Sequence, residues 1–340
     1  MLQNISKLTF TGALGLAILA GCTKKDGAAS GDKIKIGFIL STLQEERYAK
    51  DKKQFEDKAA ELGAQVIFAS ANNNEQEQLA KVENILSQGV KVLVVQPVNS
   101  KAASTFVEKA HADGVKVIAY DRVINNAPLD LYVTQDSYTV GVLQAEAAAK
   151  ATNGKGNYII LQGESGHSVA NEITRGVEET LAKFPGIKVV LKQSHAGWSG
   201  DLAMKTVENA LTVNKNKIDA ILANNSGMAN GAVQALAEQK LLGKVFVAGA
   251  DADLTAMKNL VADRQQFEVL KAIEPLARAA AESAVKFAKG EAVANDGEVD
   301  AGGGFKVPVV NTPVYPITKS DIEEKIIATG FHTREAIYGG

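Results

Sequence analysis

From Lys33 onward, short apolar runs alternate with longer stretches in which apolar residues recur every three or four positions. Runs such as KIKIGFIL (33–40), QVIFAS, VKVLVVQP and VKVIAYD are apolar almost throughout, VKVLVVQP being the most continuous. Such runs suit strands covered on both faces, as in parallel sheets. Between them, 45–62, 75–87 and 101–112 carry helical periodicity and stop at Gly63, Gly89 and Gly114. Glycine there fits the left-handed residue that commonly follows a helix. The pattern then restarts, with strands at NYIILQG, IKVVLKQ, KIDAILANN, KVFVAGAD and QFEVLKAI. Helices follow at 168–183, 199–213, 227–239, 253–262 and 274–289. Strand–helix alternation with short links predicts right-handed βαβ units. Two such runs predict an α/β chain of two doubly wound parallel-sheet lobes. In such sheets ligands sit beyond the carboxyl ends of the strands, so facing lobes would share one cleft.

The first 32 residues break this rhythm. Lys7 is the only charge before Lys24, and 8–20 is an apolar run too short to span a bilayer comfortably. It ends in Leu19-Ala20-Gly21-Cys22, which resembles the bacterial lipobox, where the cysteine becomes the lipidated first residue of the mature protein. Cys22 is the only cysteine, so no internal disulfide can form. Residues 1–21 are therefore expected to be a lipoprotein signal peptide. The small, polar segment 22–32 is expected to be a flexible tether. The chain is expected to be exported and held at the membrane by Cys22.

Composition narrows the function. Of 340 residues, 46% are apolar and 22% charged, and the net charge of −2 offers no basic field for nucleic acid. No GxxxxGK[ST], HExxH or CxxC occurs. Gly163-Glu164-Ser165-Gly166 falls one position short of a nucleophile elbow. His111, His167, His195 and His332 lack metal-ligand spacing. The chain is read as a binding protein, not an enzyme, with no cofactor and no metal.

Polar residues cluster where strands end: Asp121-Arg122, Asn224-Asn225, Asp251 and Lys271, with Arg47 after the first strand and Trp198 after the strand beginning at 187. Carboxylates, amides and charged donors suit sugar hydroxyls. An aromatic face suits the C–H face of a sugar ring. Each residue also has a plainer reading. Asp121-Arg122 can be a strand-end salt bridge, Trp198 a core residue, Asn225 a turn closure, and Arg47 a partner of Glu45 or Glu46. Asp251-Ala252-Asp253 has carboxylate spacing for a metal, but Asp253 is better read as the cap of the next helix.

At these residues the chain resembles the D-xylose-binding proteins of bacterial ABC transporters, within the ribose and galactose type of periplasmic binding protein. The resemblance runs from about Lys33 to about Thr333 and is most specific at SANNNEQEQLAKVENILSQGVKVLVVQP, VKVIAYDRVIN, ENALTVNKNKIDAILANN and VAGADADL. It implies the type I periplasmic-binding-protein fold, with a hinge of three crossovers. It puts lobe one at 33–136 plus 273–303, and lobe two at 137–272 plus 304–340. It implies ligand contacts from Arg47, Asp121, Arg122, Trp198, Asn225, Asp251 and Lys271, and Tyr48 replaces a tryptophan of the family. The stretch 164–170 (ESGHSVA) departs from the family's amide-rich pattern, and His167 or Ser168 is the nearest replacement donor. The implied partners are a monosaccharide, D-xylose in the first place, and the membrane permease of an ABC importer, with the protein itself a monomer. Glucose or ribose as ligand, or presentation to a sensory receptor, stays open. A sugar-responsive repressor of similar architecture would begin with a helix-turn-helix, where this chain has its signal segment.

Overall fold

The computed structural model describes residues 33–339. The expected signal peptide, the tether and Cys22 lie outside the described residues. The first half folds as β1 (Lys35–Leu40), α1 (Glu46–Glu61), β2 (Gln65–Ser70), α2 (Glu75–Ser87), β3 (Val92–Val95), α3 (Ser104–Ala112), β4 (Lys116–Tyr120) and β5 (Leu131–Gln135). The second half begins with α4 (Ser137–Ala151), β6 (Lys155–Gln162), α5 (Ser168–Leu181), β7 (Gly186–Ser194), α6 (Gly200–Val213) and β8 (Ala220–Ala223). It continues through α7 (Ser226–Glu238), β9 (Phe246–Ala250), α8 (Leu254–Val261), β10 (Phe267–Lys271) and α9 (Ile273–Ala288). The end of the chain adds β11 (Glu298–Asp300), β12 (Lys306–Thr312), β13 (Val314–Ile317) and α10 (Arg334–Tyr338).

The strands form two sheets, in the orders β11-β12-β5-β4-β3-β1-β2 and β13-β10-β9-β8-β6-β7. All pairings are parallel except those of the edge strands β11 and β13. Successive residues of a strand point to opposite faces, and β1 shows why its run is apolar throughout. Ile36, Phe38 and Leu40 pack with Leu276, Ala280 and Ala284 of α9, while Ile39 packs on the other face with Val82 and Val107. The second sheet is buried in the same way around Ile159, Leu161, Ile221 and Val247.

The chain passes between the sheets three times: after β5 into α4, after β10 into α9, and from β12 to β13. The third passage differs from expectation. It lies at Pro313, not at 303–304, because β12 belongs to the first sheet, in parallel register with β5 from Val309↔Tyr132 to Thr312↔Gln135. The crossing strands are tied to one another. Gln135 Nε2 donates to the Ala272 carbonyl at 2.8 Å, and Thr312 Oγ1 donates to the Thr134 carbonyl at 3.3 Å. Both lobes thus turn their strand ends toward one cleft. Among the described residues no helix is long and apolar enough to cross a membrane.

Candidate functional site

The two lobes present the same device at the cleft. In lobe one the chain leaves β4 at Asp121 with φ 61°, and in lobe two it leaves β9 at Asp251 with φ 98°. Positive φ is uncommon for a non-glycine residue and is best tolerated by Asp and Asn. In each case the aspartate N–H reaches the neighbouring strand, to the Val133 carbonyl at 2.8 Å and the Val269 carbonyl at 2.9 Å. The main chain therefore turns sharply and aims each carboxylate into the cleft.

Two cations meet the two carboxylates. Arg47, in the first turn of α1, lies 3.5 Å from Asp121 and 3.6 Å from Asp251, and Lys271, at the end of β10, lies 3.4 Å and 3.8 Å from the same two. Arg47 and Asp121 come from lobe one, Asp251 and Lys271 from lobe two, and all four are buried. Arg47 is aimed by a bidentate pair with Asp51, at 3.1 and 3.2 Å, and Asp51 in turn accepts from the Tyr120 hydroxyl. Burial alone would raise the Asp121 carboxyl, but Arg47, Lys271 and Arg122 outweigh it and hold Asp121 well below the usual carboxylate range.

Arg122 spans lobe one. Its Nη2 donates to the Tyr48 hydroxyl at 3.0 Å, and its Nη1 donates to Ser41 Oγ at 3.1 Å and to the Pro97 carbonyl at 3.2 Å. Burial pushes the Tyr48 hydroxyl far above its ordinary value, so it stays protonated. Two buried polar atoms at the site have no hydrogen-bond partner, Arg122 Nε and Asp251 Oδ1. The quartet distances of 3.4–3.8 Å also exceed the 2.7–2.9 Å of a good charge-assisted bond. Buried charges so placed retain capacity for further polar contacts.

From lobe two, Trp198 and His167 face Arg122. The Arg122 guanidinium stands 6.0 Å from the indole ring, and its Nη1 is 3.5 Å from His167 Nε2. Trp198 lies in the short connection between β7 and α6, yet its side chain is only 6% exposed and packs into the core of lobe two. Asn225 stands at the end of β8 and caps α7, its side chain accepting from Met228 N at 2.8 Å. It makes no hydrogen bond to the quartet.

The cap expected from Asp253 is also corrected. Asp253 precedes α8, but its side chain makes no capping bond. Glu46 of lobe one accepts instead from Leu254 N, at 3.1 Å across the cleft. Burial, with Asp251, Glu46 and Glu45 nearby, pushes the Asp253 carboxyl up to about 8. Sequence reasoning missed Gln96, which donates to Asp121 at 3.0 Å and accepts from Ser41, and it missed the role of Glu46. Gln96 ends the apolar run VKVLVVQP, the same strand-end position that marks Asp121. Glu46 carries no such signal, since its partner comes from the other lobe. Among the described residues no group of three or more His, Cys, Asp or Glu side chains is arranged to hold a metal.

Known proteins share this fold. The family model of the periplasmic binding protein domain matches residues 36–292. The chain is 40% identical to the D-xylose-binding periplasmic protein of Escherichia coli, over 90% of this chain and 93% of that one. It is 38% identical to the D-xylose-binding periplasmic protein of Haemophilus influenzae, over 95% of this chain and 98% of that one. Among solved structures, an ABC transporter solute-binding protein from Clostridium phytofermentans with bound β-D-glucose superposes with a TM-score of 0.83 at 26% identity, covering 89% and 99% of the two chains. These relatives are binding proteins, not enzymes. With its two parallel-sheet lobes and three crossings, this chain belongs to the periplasmic binding protein family.

Proposed function

We propose that this chain is an extracytoplasmic, lipid-anchored binding protein that captures D-xylose between its lobes and delivers it to an ABC importer. The observation that carries the reading is the buried quartet Arg47, Asp121, Asp251 and Lys271. Half of it comes from each lobe, Asp251 Oδ1 meets its two cations at 3.6 and 3.8 Å without a hydrogen-bond partner, and Arg122 Nε nearby has none either. A polyhydroxylated ring can donate to the carboxylates and accept from the cations at once, and only the closed arrangement lets both lobes touch it. Arg47, Tyr48, Asp121, Arg122, His167, Trp198, Asn225, Asp251 and Lys271 form the proposed ligand shell. The two D-xylose-binding relatives favour xylose. The glucose-bound relative supports a second reading, glucose in the same cleft. The lipobox-like Leu19-Ala20-Gly21-Cys22 supports anchoring through Cys22, and the monomeric state follows the family resemblance.

Calorimetric titration with D-xylose, D-glucose, D-ribose, L-arabinose and D-galactose tests the reading. Selective xylose binding near 1 μM, about −8 kcal/mol, is expected. A preference for glucose replaces the ligand and keeps the site. Silence from all five removes the monosaccharide. In cells, the full-length protein should fractionate with membranes as a monomer and Cys22→Ser should free it; a soluble wild-type protein removes the anchor.

A further inference from the structure

Three residues of the segment 163–167 converge on Trp198 and the residue before it. A Cβ built on Gly163 would lie 2.6 Å from the Trp198 indole, so the ring occupies space that only glycine leaves. Glu164 Oε2 accepts from Gly197 N at 2.5 Å and fixes the backbone just before Trp198. His167 Nδ1 accepts the indole N–H at 2.7 Å, with the two rings 27° from parallel. Trp198 itself has φ 55°, a conformation that a bulky aromatic adopts only when its surroundings hold it there.

The shorter of the two contacts to the ring, the indole bond at 2.7 Å, points to where the imidazole proton sits. An indole nitrogen can only donate, so Nδ1 must be bare, and a neutral ring then carries its proton on Nε2. Burial, reinforced by the positive Arg122, pushes His167 down to about 2, which keeps the ring neutral. Arg122 Nη1, near Nε2, is itself a donor and is engaged by Ser41 and Pro97.

We propose that His167 is a positioning residue: protonated on Nε2, it holds the Trp198 indole through Nδ1 and, with Gly163 and Glu164, sets the angle of the aromatic face in the cleft. The proposal rests on the sugar-binding reading and deepens it. It gives the divergent stretch 164–170 a task in addition to direct ligand contact. All four residues lie in lobe two, so the cradle does not depend on closure.

Trp198 is the only tryptophan, so one indole N–H resonance and one fluorophore report on the cradle. In purified full-length protein, long-range nitrogen–proton spectra should show His167 neutral and protonated on Nε2, and the indole N–H should resist exchange. His167→Phe should remove that protection, shift the fluorescence and weaken D-xylose binding roughly tenfold to a hundredfold. His167→Gln, which still offers an acceptor, should restore the indole signal and most of the affinity. A charged or Nδ1-protonated ring, or an indole signal indifferent to His167→Phe, overturns the proposal. If the phenylalanine variant does not fold, the wild-type tautomer and the glutamine variant decide. If wild-type protein binds no sugar, the function reading fails, and the tautomer and indole signals still test the cradle.

Discussion

Asp251 shows how much one residue at this site is asked to do. It is buried, lies 3.6 Å from Arg47 and 3.8 Å from Lys271, and holds one oxygen without a hydrogen-bond partner. Asp251→Asn keeps the shape and removes the charge that separates two cations. Affinity for the preferred sugar should fall about a hundredfold, near 2.7 kcal/mol, while the circular dichroism spectrum stays unchanged. Affinity within threefold of wild type would remove Asp251 from the ligand shell. Its place was legible because it directly follows an apolar run, as Asp121 and Lys271 also do. Arg47 was legible from its place just after the first strand and from the family resemblance. Its partner Asp51 was not, because an aspartate one helical turn after an arginine looks like any surface pair until burial is known. Asp253 shows the opposite failure. Its sequence position is that of a cap, and nothing local reveals that a glutamate 207 residues earlier, Glu46, takes the bond instead.

At the scale of elements, the strands of both sheets were legible where their runs were apolar on both faces. The structure adds β5, α4, β12 and β13, which sequence patterning did not resolve. The buried positions Val140, Gly141, Gln144, Ala145 and Ala148 of α4 share one face, but that face includes a glycine and a glutamine while the apolar Val142 and Leu143 lie off it, so no clean apolar stripe marks the helix in the sequence. The strand β12 contains Pro308, which argues against an interior strand, yet Pro308 sits opposite Glu298 on the side that faces the short edge strand β11. The helices that end at the site are set by close crossings. A Cβ on Gly231 of α7 would lie 2.1 Å from the Gly200 carbonyl at the start of α6. That is backbone against backbone, so no side chain can swing aside. Gly231→Ala should push α6 and α7 apart and cost roughly 1–3 kcal/mol. A thermal melt should show the midpoint lowered by about 2–8 °C. An unchanged midpoint would mean that the two helices can separate freely, and with them Trp198 before α6 and Asn225 before α7.

At the scale of the whole molecule, closing the lobes brings carboxylates together as well as opposite charges. Glu45 and Glu46 come from lobe one, Asp251 and Asp253 from lobe two. Burial, with Asp251 and Asp121 adding to it against Arg122 and Arg47, pushes Glu45 up to about 7. Burial and the neighbouring carboxylates push Asp253 up to about 8. Parting the lobes would return both groups to water, where their ordinary values are 4.5 and 3.8. A carboxyl whose pKa is higher in the closed form takes up a proton on closure. The contribution of these two carboxyls to the closed form is then full below about pH 4, is lost as pH rises through about 7 and 8, and changes no further above that range. Asp121 works against no part of this window, since its cationic neighbours keep it ionised. Sugar affinity should therefore be higher at about pH 5.5 than at about pH 8.5, with net proton uptake on binding at neutral pH. Calorimetry in buffers of different ionisation enthalpy measures both quantities. Asp253→Asn should flatten much of the dependence, because the amide keeps the shape and cannot titrate, and Glu46 still caps α8 at Leu254 N. Affinity that rises with pH, or proton release on binding, would show that the opposing charges at the quartet, and not the carboxylates at the α8 end of the cleft, govern how closure responds to pH.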